Sequence, residues 1–247
     1  HKLIMIPITL ATGMSLSALP TLTKSYVDRN RDLLFRQINQ SLQIIMLLIL
    51  PAVIGMSLLS TEIWGAFYSV NEYTPLNATL LSWYAPVALF FALFTVSSSI
   101  LQGINQQRFS IYSLVLGLVL KTILNVPLMK WLGPEGAVIA TGIASLATVA
   151  ANLWCISTAI KFPLKQLFKR SLLMGIFSGV MAGTVYVMKF ILSFFVTYQD
   201  GRLTNVFILL ITVTVGAGVY LWLSYQSTLI ERVVGSRIRF LDRIFNR

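Results

Sequence analysis

The chain has 247 residues, of which 56% are hydrophobic and only 11% are charged, whereas a soluble domain is about 25% charged. A water-soluble fold is therefore excluded, because a sphere of this size could not cover so many apolar side chains with polar ones. The formal net charge of +11 could suggest a nucleic-acid partner, but the positions of the basic residues, given below, argue against one.

Seven apolar segments follow one another, and each is about as long as a bilayer-spanning helix of ~20 residues. Segments A to G are residues 3–21, 38–60, 78–101, 111–129, 136–159, 172–196 and 205–225. They lack the alternation of polar and apolar residues that marks the strands of a membrane barrel. The sequence therefore predicts an all-α integral membrane protein, a polytopic bundle of seven transmembrane helices.

Lysine and arginine are distributed unevenly between the two ends of these segments. Fourteen of the 19 basic residues fall in the A–B, C–D and E–F connections and in the tail after G. Connections rich in these residues stay in the cytoplasm. We therefore expect a multi-pass plasma-membrane protein whose first residues lie outside and whose C-terminus is cytoplasmic. The start at His1, without a signal-peptide pattern, suggests a cut within a longer chain.

Catalytic and metal-binding patterns are missing from the sequence. The chain has one cysteine and one histidine, Cys155 and His1, too few for a structural zinc site or an internal disulfide. No carboxylate lies near the centre of a segment, where a membrane hydrolase or glycosyltransferase would need its acid or base. We expect a protein that is not an enzyme and that uses no metal or cofactor.

Proline and glycine interrupt several segments. Pro7, Pro51, Pro86 and Pro127 lie in A, B, C and D, where each would free a carbonyl and form either a static kink or a hinge for alternating access. In F, glycine recurs at every fourth position, which favours close helix packing but could also leave a shallow groove for a lipid tail. These glycines are Gly175, Gly179 and Gly183.

Two lysines lie inside segments. Lys121 is near the middle of D, where a charged side chain costs about 2.5–3.5 kcal/mol on insertion scales and must find water or a partner. Lys189 is close enough to the end of F to reach the interface, so we interpret it as structural and Lys121 as functional.

Trp83 or Tyr84 could form a stacking platform for a sugar, as an alternative to a place in the aromatic belt.

A polar cluster is predicted around Lys121. A tight turn at Gly133 would join D and E as an antiparallel hairpin, which brings Asn125 level with Thr141 and Lys121 level with Ser145. Oxygens of these neighbours could hold a sodium ion, but the ammonium would occupy that place and repel a second cation. We interpret Lys121 as a built-in cation that braces D against E or attracts a diphosphate. The alternative is a lysine that points into a wet cavity without a fixed partner.

Five stretches carry a family resemblance. Residues 1–7 (HKLIMIP) and 18–24 (ALPTLTK) resemble the eighth helix of the MurJ-type lipid II flippases, in the polysaccharide-transporter branch of the MOP exporter superfamily. Residues 50–55 (LPAVIG) resemble the ninth helix, and 101–109 (LQGINQQRF) the turn after the tenth. Residues 124–141 (LNVPLMKWLGPEGAVIAT) resemble the hairpin of the eleventh and twelfth.

The resemblance implies the second lobe and two extra helices of a fourteen-helix transporter, which flips an undecaprenyl-diphosphate-linked cell-wall precursor. Its parts would be residues 1–165 for the second lobe, 166–228 for the helix pair that lines a lipid-tail groove, and 229–247 for a basic amphipathic cytoplasmic tail. Lys2 matches a basic residue of the family that stands five positions before the matched proline, which implies that Lys2 binds the substrate. With Lys121, chosen above for its depth in segment D, it is a predicted substrate-binding residue. The partners implied are the lipid-linked oligosaccharide, membrane lipid and the missing N-terminal half.

Three other functions stay open at this point. A flippase for another lipid-linked polysaccharide repeat would use the same fold. A heptahelical receptor would share the number of helices and the orientation, although receptor motifs and a paired outer cysteine are missing. An ion-coupled drug exporter of the same superfamily would need a membrane carboxylate, which the seven segments lack but which an upstream part of a longer chain could supply.

Overall fold

The computed structural model describes residues 4–67, 75–193, 202–227 and 229–234. In these residues the chain is helical, and seven helices are long and apolar enough to cross a membrane, which confirms the predicted fold class. The helices are α1 (Met5–Val27), α2 (Arg31–Leu58), α3 (Ser60–Phe67), α4 (Pro75–Gly103), α5 (Gln107–Leu132), α6 (Pro134–Ile160), α7 (Leu164–Ser193), α8 (Arg202–Gln226) and α9 (Leu229–Val234).

Two helices, α3 and α9, are short; α3 was not predicted, and α9 lies at the start of the predicted amphipathic tail. Their lengths of 8 and 6 residues are far below the span of a bilayer, so hydropathy does not find them. Helix α9 lies in the predicted cytoplasmic tail, and its apolar residues Leu229, Ile230 and Val233 pack with Leu47 and Tyr220. The rest of that tail lies outside the described residues.

The turns between the helices lie at two opposite ends of the bundle. The α1–α2, α4–α5 and α6–α7 turns lie at what we call the basic end, and each contains one non-glycine residue with positive φ: Arg29, Asn105 and Lys161. At the opposite end, which we call the Gly133 end, α5 and α6 are joined by Gly133 with φ 66° and ψ −146°. That conformation is open essentially only to glycine, and it places the hairpin turn where the sequence predicted it.

Helix α4 is the central element, because it contacts α1, α2, α3, α5 and α6. Helices α7 and α8 pack against each other and against α2 and α3. Helix α7 starts at Leu164, eight residues before segment F, since its hydrogen bonds continue into the polar flank. The division at residue 165 into a lobe and a helix pair stays a prediction.

Two glycines bring α5 and α6 into close contact. A methyl group added at Gly117 would collide with the side chain of Thr148, and one at Gly136 would collide with the backbone of Leu128. Small residues at such positions let two helices approach within the distance at which their backbones touch. The register of α5 on α6 is therefore set at both positions.

A buried polar network also joins α4, α5 and α6, in the half of the bundle near the basic end. The amide of Asn152 donates to Oγ of Ser97 at 3.0 Å and to Oγ of Ser98 at 3.2 Å. The Ser113 hydroxyl donates to Oδ1 of Asn152, and the Ser110 hydroxyl donates to Ser98. Asn152 is completely buried, and each unpaired polar group in hydrocarbon costs several kcal/mol. The network therefore favours one arrangement of the three helices.

The structure corrects the prediction for Pro7. It is the third residue of α1, and a proline in the first turn removes no helical hydrogen bond. Within α1 the interior proline is Pro20, which was not among the predicted hinges. Pro51, Pro86 and Pro127 lie inside α2, α4 and α5 as expected; their role as hinges stays a prediction.

Candidate functional site

A cavity of about 550 Å³ opens between α3, α4, α5 and α6, next to the N-terminal end of α1, in the half of the bundle nearer Gly133. Its lining residues come from α3, α4, α5 and α6 and from Ile4, which immediately precedes α1. Its polar and aromatic lining residues are Trp64, Asn77, Tyr84, Lys121, Asn125 and Thr141. Apolar residues, among them Ile4 and Leu81, cover the remaining wall.

Lys121 supplies the charge of this cavity. It is the one ionisable cation or anion among the described lining residues, and its side chain is exposed. Within the described part of the chain, its ammonium takes part in no hydrogen bond or ion pair. An uncompensated cation in a partly apolar cavity attracts an anionic group more strongly than it would in water.

The predicted polar cluster is brought together only in part. Asn125 and Thr141 line the cavity with Lys121, as expected from the hairpin register. The Ser145 hydroxyl instead donates to the carbonyls of Thr141 at 2.8 Å and Gly142 at 3.0 Å, and Ser145 does not line the cavity. Ser145 is buried and its hydroxyl is paired within its own helix, so it does not join the cluster that was predicted.

The predicted brace between α5 and α6 is absent among the described residues. Oδ1 of Asn125 is buried and accepts no hydrogen bond there, and the Thr141 hydroxyl donates to the Ala137 carbonyl at 2.8 Å. Lys121 therefore contacts the cavity rather than a helix α6 oxygen. This geometry leaves the exposed ammonium of Lys121 available to a ligand that accepts hydrogen bonds, whereas Oδ1 of Asn125 has almost no exposed surface.

Sequence reasoning missed part of the site. Trp64 comes from the unpredicted helix α3, and Asn77 lies just before segment C. Tyr84, which was considered for sugar stacking, lines the cavity, whereas Trp83 next to it is 48% exposed on the outer surface. Lys2 lies outside the described residues; Ile4, two positions later, lines the cavity.

An apolar groove of about 420 Å³ lies on the other side of α3, between α2, α7 and α8. Its walls include Pro51, Ile63 and Gly216. The hydroxyl of Tyr220 in its lining donates to the Leu47 carbonyl at 3.0 Å, and that of Thr212 to the Ile208 carbonyl at 2.6 Å. Most of the other lining residues are apolar, so the groove presents mainly hydrocarbon to an occupant.

The glycine row of α7 does not form this groove. Side chains added at Gly175, Gly179 and Gly183 would meet nothing within 4 Å, so among the described residues the row packs against no helix. The close approach of α7 and α8 occurs at Gly216, where an added methyl carbon would lie 2.8 Å from Cγ2 of Val185. Periodic spacing could not distinguish an open row of glycines from a packed one.

Lys189 is also placed differently from the prediction. Its ammonium lies 2.8 Å from Oε1 of Glu62 and donates to the Leu58 carbonyl at 2.9 Å. The side chain is 23% exposed and that of Glu62 is completely buried. Lys189 is thus part of an interhelical ion pair instead of a free interfacial charge.

Comparison with known proteins agrees with this architecture. A sequence model of the lipid II flippase MurJ family matches residues 2–225. The chain belongs to the MurJ family. A lipid II flippase MurJ from Bacillus subtilis (strain 168) is 42% identical over 239 residues, which make up 96% of this chain and 44% of that protein. The chain therefore spans about half the length of the curated relatives it matches.

Two further flippase sequences and one solved flippase structure are more distantly similar to this chain. The lipid II flippase MurJ of Thermosipho africanus is 24% identical over 91% of the chain. A probable low-salt glycan biosynthesis flippase from Haloferax volcanii is 28% identical over 59% of it. A solved structure of lipid II flippase MurJ in an inward closed conformation has a TM-score of 0.67 at 23% identity, covering 92% of this chain and 46% of that one; it supports the fold.

Proposed function

We propose that this chain is the second half of a flippase that moves an undecaprenyl-diphosphate-linked cell-wall precursor, lipid II, across the bacterial plasma membrane. Membership of the MurJ family supports the substrate. The observation that carries the assignment to these residues is the cavity with Lys121 as its charged lining residue, next to an apolar groove. A lipid-linked diphosphate needs a cationic, hydrogen-bonding site for its head and a hydrocarbon surface for its tail.

The cavity fits the head group by its chemistry. The ammonium of Lys121 would neutralise a phosphate oxygen, and such charge-assisted hydrogen bonds are stronger than neutral ones. Asn77, Asn125 and Thr141 offer amide and hydroxyl groups to a sugar, and Tyr84 and Trp64 offer aromatic surface. Lys2 is proposed as a second cation for the diphosphate, with a point charge where a bidentate guanidinium would bind more specifically.

The membrane topology and the partners follow from the same proposal. The basic end would face the cytoplasm, so that the cavity opens toward the outer leaflet and the C-terminal tail lies at the inner surface. A first lobe would complete the transport path, as in the relatives that are about twice as long as this chain. Pro51, Pro86 and Pro127 would allow the two lobes to alternate between inward-open and outward-open states. The protein would act as a transporter and not as an enzyme, and Lys121 would take the place of a bound sodium ion in this lobe.

The role of Lys121 is tested by neutral and charge-conserving substitutions in the full-length protein. Lys121→Met should lower the rate of lipid II flipping at least tenfold, because a hydrogen bond to a charged group contributes about 1.5–3 kcal/mol. Lys121→Arg should keep most of the activity. Lys130→Met, near the end of the same helix and outside the cavity, is the matched control.

The measurement is the fraction of lipid II that is accessible from outside in cells that depend on the variant. Protein amount in the membrane must be equal in all variants. Normal flipping by Lys121→Met at equal protein level would remove Lys121 from the substrate site.

A second substrate class is supported by one observation, the similarity to a probable low-salt glycan biosynthesis flippase of Haloferax volcanii. A flippase for another lipid-linked polysaccharide repeat would use the same cavity, because the lipid diphosphate is shared and only the sugars differ. Depletion of the protein distinguishes the two: lipid II accumulates in the inner leaflet in the first case, and a different lipid-linked glycan in the second.

A further inference from the structure

Helix α3 is held by charged contacts at the Gly133 end of the bundle. Leu58 is the last residue of α2, and its carbonyl belongs to the unpaired group at a helix C-terminus, where a lysine is favourable. Glu62 lies in the first turn of α3, where a carboxylate is favourable. The ammonium of Lys189, on α7, contacts both. One side chain thus links the end of α2, the start of α3 and helix α7.

The carboxylate of Glu62 depends on this contact because it is buried. Glu62 has no exposed surface, and Oε2 accepts no hydrogen bond from the described residues. Its charge is therefore compensated chiefly by Lys189, and loss of the lysine would leave an uncompensated buried carboxylate. Three residues later, Gly65 packs closely on Asn205 of α8, so α3 is attached to the α7–α8 pair at two points.

Helix α3 also separates the two concave sites of the molecule. Ile63 lines the apolar groove, whereas the next residue, Trp64, lines the polar cavity. Consecutive residues on a helix point about 100° apart, so one short helix presents one side chain to each site. Any shift of α3 changes both walls together.

The geometry points to Lys189 and Glu62 as positioning residues, whose ion pair fixes α3 as the common wall between the groove and the cavity. Neither side chain lines the cavity, so they act on it through Trp64. If the proposed function is correct, on which this last step rests, the tail and the head group of one lipid-linked substrate contact adjacent residues of α3. Binding of the tail in the groove then helps to place the head group near Lys121.

The test measures the cavity wall itself and needs no substrate. In the full-length protein, without other cysteines and with Cys155→Ala, we place a cysteine at a cavity position, Asn77→Cys. A second cysteine variant, Trp131→Cys, reports on a site that is 90% exposed at the end of α5, away from α3. The rate of reaction with a small neutral maleimide is measured in membranes.

The decisive background is the double variant Glu62→Gln with Lys189→Met. It removes both charges and so leaves no unpaired buried charge, which keeps folding possible. We expect normal protein levels, at least a threefold faster reaction at Asn77→Cys, and an unchanged rate at Trp131→Cys. Lys189→Arg, which keeps the charge, should react at the rate of the unaltered protein.

Three results would overturn the positioning role. The double variant could react at the unaltered rate at Asn77→Cys, which means that the pair does not set the wall. Both cysteines could react faster by the same factor, which indicates general loosening. The double variant could also fail to accumulate, in which case the pair is needed for folding and not for position. None of these outcomes depends on the transport assay of Lys121, so the two proposals fail separately.

Discussion

Single polar residues inside an apolar bundle differ in the partners they find. Asn152 uses its amide oxygen and both amide hydrogens within the network of serines, and Lys189 finds a carboxylate and a carbonyl. Lys121 faces an open cavity without a partner in the described part of the chain. A satisfied group stabilises the fold, whereas an unsatisfied one is available to a ligand, and this difference separates structural from functional positions.

Asn152→Ala should lower the free energy of unfolding by about 1–2 kcal/mol, because interhelical hydrogen bonds in membranes contribute up to about 1.7 kcal/mol each. The loss leaves the hydroxyls of Ser97 and Ser113 without their shared partner. Thermal unfolding of the purified full-length protein measures the effect. Ser17→Ala is the control, because that hydroxyl donates only to the Met14 carbonyl of its own helix. Equal shifts in both variants would contradict a bracing role for the network.

Helices in this bundle are arranged by small contacts along otherwise apolar faces. Helix α5 is the least buried of the seven spans that the structure describes. In its most apolar stretch 11% of the residues are buried, against 50% in α4 and in α6. It is held to α6 along one line that contains Gly117 and Gly136. In α7 the glycines face outward, and among the described glycines of α8 it is Gly216 that makes a close contact with α7.

Two glycine-to-alanine substitutions should therefore have opposite effects. Gly117→Ala should destabilise the protein by about 1–3 kcal/mol, because the new methyl group overpacks the contact with Thr148. Gly179→Ala should be neutral or stabilising by up to about 1 kcal/mol, because alanine is the better helix former and the position is open. The melting temperatures of the two variants check this. A larger decrease in melting temperature for Gly179→Ala than for Gly117→Ala would mean that the glycine row of α7 contacts a helix in the complete protein.

The described part of the molecule exposes much apolar surface along its sides and carries most of its basic residues toward one end. Tyr112 and Trp131, near the two ends of α5, are 64% and 90% exposed, as expected for aromatic residues at the two interfaces of a bilayer. The three positive-φ turn residues Arg29, Asn105 and Lys161 all lie at the basic end. The shape and the charge distribution thus agree on one axis across the membrane.

The direction of that axis is tested at the two ends of one helix. Cysteines placed at Gln107 and Leu132, the first and last residues of α5, carry no change of charge. In intact cells an impermeant thiol reagent should modify Leu132→Cys and not Gln107→Cys; permeabilised cells should show both. The reverse pattern would place the basic end outside and would overturn the orientation.

The number of spans, the turn at Gly133 and the likeness to one transporter family could all be predicted from the sequence. Transfer of each apolar segment into lipid depends mainly on its own residues, so segments can be recognised one at a time. The depth of Lys121, Asn125 and Thr141 was predictable for a related reason, since a tight antiparallel hairpin fixes which residues share a level.

Only the tertiary structure decided which side chains meet. Helix α3 is too short for a hydropathy signal, so its contribution of Trp64 to the cavity could not be predicted, and neither could the pairing of its Glu62 with Lys189, more than a hundred residues away. The Ser145 hydroxyl donates to its own helix instead of joining Lys121, and the glycines of α7 are open while Gly216 is packed. Lipid is as apolar as the helix surfaces, so burial of apolar area does not choose helix partners. Hydrogen bonds, ion pairs and close packing make that choice, and they depend on residues that are far apart in the chain.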